Sequence, residues 1–439
     1  MIPKNIRKQN ELPILLFFIL FLNYIPLFLI NYNTKTSNAV GVKEMTICFG
    51  IECFVLIVFL FKKIKINKNI IIQFVLLLIT TIIMFIIQIP NYKSGNYEIM
   101  DFANIICIAI NIFLLFILLL NIQVNEDNIY SFFKGIIGLG ILSCIVNIVL
   151  YHQEILGLFG INRDVSFFSI KSFFAHRNQF AIFLYISIIS NIFMILKTGK
   201  KIYILTIIVF GINLIFTASR TGILCTAIFI FLFFVTTPKI KIRYKLLILV
   251  ICVILAVLSF IIVYKYVPKL AESIDKVFIR SQSLKNLTGR TVIWKTGIDL
   301  VNKDIKSLIF GVGRFIGIKA LDENVYIYEK ITQFHSFYID MLVTGGLMEL
   351  LYLLSIYMVV VRRIIKSSMD KKYKSLYISI FISYAIYCSC ESLSRFSIGC
   401  ADTVCLIAFI SIPLLHANSI KENIKTIESA KEKDGEEEK

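Results

Sequence analysis

The sequence predicts an all-α fold: a polytopic transmembrane helix bundle of about 12 spans, with a large extracytoplasmic loop that carries short amphipathic helices. Three observations predict it. Hydrophobic residues make up 58% of the chain and the mean hydropathy is +0.82, more apolar surface than a soluble chain of 439 residues can hide. The apolar runs are long, close to the ~20 residues that a hydrocarbon core demands. Runs of that length satisfy their backbone groups internally as helices rather than as barrel strands. The lysines, finally, lie between the runs rather than within them.

The first run, 12–30, is too long for a signal-peptide core and lacks a small-residue cleavage site, so it reads as a span. Spans then follow at 45–61, 70–89, 102–122, 132–150, 178–196, 202–218, 221–236 and 246–266. The last three fall at 336–361, 375–392 and 396–415. The division between 202–218 and 221–236 rests on Ala218-Ser219-Arg220-Thr221 alone. Four regions result: membrane helices in 1–266, an extracytoplasmic loop at 267–335, membrane helices in 336–415, and a cytoplasmic tail at 416–439. The tail mixes lysine with a Glu-Glu-Glu run, the pattern of a disordered, solvated segment.

A net charge of +18 would suit nucleic acid, but the lysines cluster in short loops, as topology signals do. Nucleic acid is therefore not an expected partner. One set of loops holds Lys62, Lys63, Lys65 and Lys68, then Lys197, Lys200 and Lys201, then Lys239, Lys241, Arg243 and Lys245, and last Arg362 to Lys374. That set should be cytoplasmic, which turns the 267–335 loop outward. The ten cysteines fall inside or at the edges of predicted spans, and the long loop has none. A disulfide framework or a zinc site is not expected.

Within the long loop, Thr288 or Gly289 can cap a helix on which Trp294, Ile298, Val301 and Ile305 follow at spacings of 4, 3 and 4. Lys295, Asp299 and Lys303 lie opposite, so the helix is expected to rest its apolar face on the bundle or the membrane. Gly311 and Gly313 then allow a sharp turn and close backbone approach.

The candidate residues are few, and each has two readings. Arg220 lies where two apolar runs meet: it is a guanidinium fork for an anion at membrane depth, or an arginine snorkelling at the interface. Arg290 opens the amphipathic helix, where amide dipoles also favour an anion, or is an ordinary loop arginine. His335 ends the loop: a neutral imidazole there can take a proton from a sugar hydroxyl, or simply cap the interface. Arg314 is a further anion contact or a polar turn residue, and His176-Arg177-Asn178 lines the same cavity or caps a span. Glu52, Glu349, Glu391 and Asp402 lie in or at the edges of spans, as partners within the bundle or as marks of an ion path. No Walker A, HExxH or GxSxG motif is present.

The order of the pieces is more telling than any single piece. A Ser219-Arg220 pair lies between mid-chain spans, and a large loop carries Gly289-Arg290-x-x-x-Trp294. Then come Phe310-Gly311-Val312-Gly313, His335, and a span reading Leu342-Val343-Thr344-Gly345-Gly346-Leu347. This order resembles the O-antigen ligase and polymerase superfamily, the Wzy-type polysaccharide polymerases, over roughly 140–415.

The resemblance implies metal-independent, cofactor-free, inverting glycosyl transfer from an undecaprenyl-diphosphate-linked glycan donor to a lipid-linked acceptor. It places the active site on the outer face of the bacterial cytoplasmic membrane. It also implies that Arg220, Arg290 and His335 are catalytic and that His176, Arg177 and Asn178 line the site; Arg314 and Trp294 are expected to bind substrate beside them. The family's His-Asn pair is His335-Ser336 here. Membrane lipids, a flippase and a chain-length regulator are the other partners such a role brings. An Ile-, Lys- and Asn-rich composition leans toward a capsule or exopolysaccharide rather than O-antigen. A ligase moving finished glycan to another acceptor, and a lipid-glycan flippase, are the competing readings. A flippase would show paired charges at the midplane and internal repeats, and the sequence has only scattered acids.

Overall fold

The computed structural model describes residues 126–158, 170–174, 176–238, 241, 243–245, 290–324, 333–392, 409–410, 412–417 and 420, with single residues at 50, 75, 79, 82, 83, 86, 258, 261 and 265. The expected spans 12–30, 45–61 and 102–122 lie outside these residues. So do nearly all of 70–89, 246–266 and the first part of 396–415, and the tail beyond 420.

Ten continuous helices are described, with further helical residues at 243–245, 409–410 and 412–417. α1 is Glu126–Leu150, α2 His152–Leu158, α3 Arg177–Thr198, α4 Ile202–Phe216 and α5 Arg220–Thr236. α6 is Arg290–Val301, α7 Ile305–Phe310, α8 Arg314–Asn324, α9 Phe337–Lys366 and α10 Lys371–Cys390. Three stretches are long and apolar enough to cross a membrane: Ile129–Leu150, Arg177–Thr198 and Phe337–Lys366. α4 and α5 are shorter apolar helices; the 15 residues of α4 extend about 22 Å.

α3 forms the core because it is apolar all round. Fourteen of its residues from Phe180 to Met194 are buried, against α1, α4, α5 and α10. Polar pairs fix how these helices meet where apolar contact alone would let them slide. Asn147 Nδ2 donates to Asn213 Oδ1 at 2.9 Å, joining α1 to α4. The Tyr185 hydroxyl lies 2.5 Å from Ser383 Oγ, joining α3 to α10. α3 ends at Gly199 in the left-handed region (φ 68), whose N–H caps the Ile195 carbonyl. The division between α4 and α5 is real: Ala218 takes φ 51, and the Ser219 hydroxyl caps α5 by accepting from the Gly222 N–H.

The lysines define one end of the bundle. Lys372 Nζ donates to the Leu196 carbonyl at the end of α3, at 3.3 Å. Lys374 Nζ reaches Ile365 O at the end of α9, at 2.9 Å. Lys245 Nζ donates to Val235 O and Thr237 O at the end of α5. Cations on terminal carbonyls suit the negative end of a helix dipole. The C-termini of α3, α5 and α9 therefore share the lysine-rich end, and their N-termini share the other.

Residues 290–324 pack against α9, with one correction to the expected helix face. The buried stripe of α6 is Ile293, Gly297, Leu300 and Val301, whereas Ile298 is exposed and Ile305 is 76% exposed. Ile305 also belongs to a separate helix: α6 stops at Val301, and the Asp304 carboxylate caps α7 through the Ser307 N–H. The stripe is set by Phe334, which lies over the bare backbone of Gly297. A Cβ on Gly297 would fall 2.8 Å from the Phe334 ring. Lys295 and Asp299 on the opposite face are exposed as expected, and so is Lys303, which lies in the turn after the helix.

Two glycine motifs far apart in sequence meet here. α9 is kinked at Gly346 (φ 67, ψ −163). The kink releases the Val343 carbonyl from its helical partner, and it accepts instead from the N–H groups of Val312 (2.9 Å) and Gly313 (3.2 Å). A Cβ on Gly311 would sit 2.6 Å from the Thr344 carbonyl, and one on Gly346 would sit 2.5 Å from the Gly311 nitrogen. Backbone meets backbone at this point because neither side has a side chain.

Candidate active site

The end opposite the lysines gathers the starts of α3, α5, α6 and α9 around the last turn of α10. Glu391, the C-cap of α10, is at the centre, its side chain only 4% exposed. Its Oε1 accepts from Arg290 Nη2 at 2.7 Å and from Asn178 Nδ2 at 2.9 Å. Its Oε2 lies 3.9 Å from His335 Nδ1. The Arg290 guanidinium is held a second time, Nη1 donating to the Cys390 carbonyl. The backbone of Glu391 is tied too, its N–H donating to Tyr387 O (3.0 Å) and its carbonyl accepting from the Phe337 N–H (3.1 Å).

His335 is presented by a built loop. Phe334, 2% exposed, anchors between Gly297 and Gly317. Its N–H donates to Asp340 Oδ1 at 3.2 Å, and its carbonyl accepts from Trp294 Nε1 at 3.0 Å. With Phe334 fixed, His335 takes a positive φ of 52. Its ring is 30% exposed, with the Gln333 amide 3.2 Å from Nδ1. An imidazole so held is reachable from outside, whereas the Glu391 carboxylate beside it is not.

His176 caps α3, its Nδ1 accepting from the Asn178 N–H at 3.2 Å. Crowding by its neighbours strips part of the hydration from the ring and holds it below the usual histidine range, although the residue keeps an exposed edge. Arg177 adds to the effect, Glu391 opposes it, and His335 and Lys171 add smaller repulsions. Arg177 and Arg220 are the first residues of α3 and α5. The turn after Arg220 packs tightly: a Cβ on Gly222 would meet Ala181 of α3 at 2.8 Å and the Tyr387 hydroxyl of α10 at 3.1 Å. Arg220 thus stands at the same end as Arg290, on a helix start packed against α3 and α10. Arg314 opens α8, directly after Gly313.

Of the residues expected at the site, Arg290, Asn178 and His335 meet at one carboxylate, with His176 beside them. Trp294 is turned inward, supporting the His335 loop. Glu391 and Gln333 were missed. The sequence grouped Glu391 with other isolated acids of the spans, and its partner Arg290 is 101 positions away. The one signal was its place at a span edge, where an acid and an outer-loop arginine can pair. Chemically, an arginine fork and four helix starts, each with amide N–H groups and a positive dipole end, favour an anion.

Fold and site together define a helical membrane protein whose polar centre suits an anionic substrate. Residues 205–354 match the family model described as O-antigen ligase (Wzy_C). Over these residues the chain is similar to the O-antigen ligase family, in agreement with the resemblance that the motif order carries. The match includes Arg220, Arg290, Arg314 and His335, while His176, Arg177, Asn178 and Glu391 fall outside it. No curated protein matches the chain.

Proposed function

We propose that this protein is a polysaccharide polymerase: an inverting glycosyltransferase that joins undecaprenyl-diphosphate-linked repeat units on the outer face of the cytoplasmic membrane. Arg290 and Arg220 hold the donor's diphosphate and stabilise the charge that develops as it leaves. His335 accepts the proton of the acceptor hydroxyl while that oxygen attacks the anomeric carbon. The bond from that carbon to the diphosphate oxygen breaks, and the diphosphate departs on its lipid. A lipid diphosphate is a competent leaving group, so the reaction as proposed asks for no metal or nucleotide. Arg314, Arg177, Asn178 and His176 border the substrate, and Trp294 acts through the loop that carries His335.

The observation that carries this reading is the convergence of Arg290 and His335 on Glu391, at the end of the bundle opposite the lysines. Lysine-rich loops stay cytoplasmic, which turns this end outward. A second reading is favoured by the match to the O-antigen ligase family: a ligase that moves finished glycan to another acceptor.

Deleting the gene and sizing the surface glycan separates these readings. Single repeat units mean a polymerase, unattached full-length chains a ligase, and no surface glycan a flippase. Complementing with Arg290→Lys, which keeps the charge but loses the fork, should cost about 10²–10³ in transfer rate. Normal polymer at equal protein level would remove Arg290 from the mechanism.

A further inference from the structure

We propose that Glu391 is the positioning residue of this site: without touching substrate, it fixes the plane of Arg290 and the resting place of His335. The proposal rests on the functional reading above and adds a residue to it.

A buried carboxylate is costly unless its oxygens are matched by donors. Here Oε1 has two, from Arg290 and Asn178, and Oε2 faces His335. These partners come from the starts of α6 and α3 and from the loop before α9, while Glu391 itself ends α10. One side chain therefore sets the spacing of four segments. Arg290 is held at two points, one nitrogen on Glu391 and the other on Cys390 O. A guanidinium has five N–H donors, and two of them are used in fixing its plane. An arginine already aimed need not be ordered as charge develops, and preorganised donors of that kind contribute most to such transition states. Exposure separates the roles: the Glu391 side chain is 4% exposed and the His335 ring 30%. The acid is shut away from an acceptor sugar and the imidazole is not.

The test uses full-length protein in membranes of a strain lacking the gene, supplied with that strain's own lipid-linked glycan, at matched protein level. Wild type, Glu391→Gln, Arg290→Gln and the double variant are compared by the rate of polymer formation. Glu391→Gln should slow transfer about 10²-fold. In the Arg290→Gln background the same change should cost less than about tenfold, because residues that act through one another are not additive. If Glu391→Gln fails to accumulate, Asn178→Ala takes its place; it removes the other donor on Oε1 and should slow transfer several-fold, again less so beside Arg290→Gln. Wild-type rates for Glu391→Gln, or losses that multiply in the double variant, overturn the proposal. If Arg290→Gln itself transfers normally, the functional reading falls as well. If Arg290→Gln is inactive while Glu391→Gln is normal, only the positioning role is lost.

Discussion

Asn178 Nδ2 donates to Glu391 Oε1 at 2.9 Å, across 213 positions of sequence. The bond closes the bundle at its polar end, joining the first turn of α3 to the residue that caps α10. Around it the site can be probed piece by piece.

The glycine contact between the loop and α9 should be intolerant of any side chain. Gly311 (φ 73, ψ 179) and Gly346 (φ 67, ψ −163) occupy a region that only glycine enters readily. Each would also press a Cβ into backbone. Replacing either by Ala should cost about 2–4 kcal/mol, strain and overpacking combined. Gly138 and Gly211 lie in α1 and α4 with nothing within 4 Å of an added Cβ, and Ala there should be neutral or stabilising by up to about 1 kcal/mol. Thermal unfolding of the purified protein compares the four, and equal melting points would refute the assignment.

Phe334→Ala should remove the wedge between α6 and α8, costing about 3–5 kcal/mol locally. Hydrogen exchange should then rise in 333–336, α6 and α8, while α3 and α10 keep their protection. Transfer should be lost with the bundle intact. Faster exchange throughout the chain would show that Phe334 is a general core residue instead.

His176 predicts a pH dependence of stability. Its folded pKa is lowered, so the unfolded chain takes up the proton first. The stability it contributes is complete above the ordinary histidine value, about 6.5, and is lost as pH falls from there toward the folded pKa. His176→Asn keeps a capping side chain without the titration. Between pH 7.5 and 5.5 the wild-type melting temperature should fall further than that of His176→Asn. Parallel curves would assign the acid sensitivity elsewhere.

Sidedness can be read by labelling. Gln333→Cys lies beside His335, and Lys200→Cys lies in the exposed turn between α3 and α4 at the lysine-rich end. A membrane-impermeant maleimide on intact cells should label the first above the background of the native cysteines. The second should gain label only after permeabilisation. The reverse pattern would turn the site inward and end the proposed function.

What the sequence disclosed depended on how each feature is encoded. α3, α5 and α9 were legible because long apolar runs have one solution in a bilayer, and the break at Ala218-Ser219 because polar residues interrupt such a run. The lysine pattern separated the two ends before any fold was known. The face of α6 was misread because patterning counts side chains, whereas this packing depends on their absence at Gly297 and Gly317. Glu391 was hidden for another reason. In one dimension it looks like Glu349, an acid in an apolar run, yet both Glu349 oxygens are without a hydrogen-bond partner while Glu391 is held by three elements. Only the folded chain tells them apart.

The late position of Glu391 bears on biogenesis. Translation delivers Asn178 first, then Arg290 and His335, and the acid at which they meet last of all. A chain released before residue 391 carries Arg290 without the carboxylate that holds it. On the proposed reading, the polar centre is complete only once residue 391 has been made.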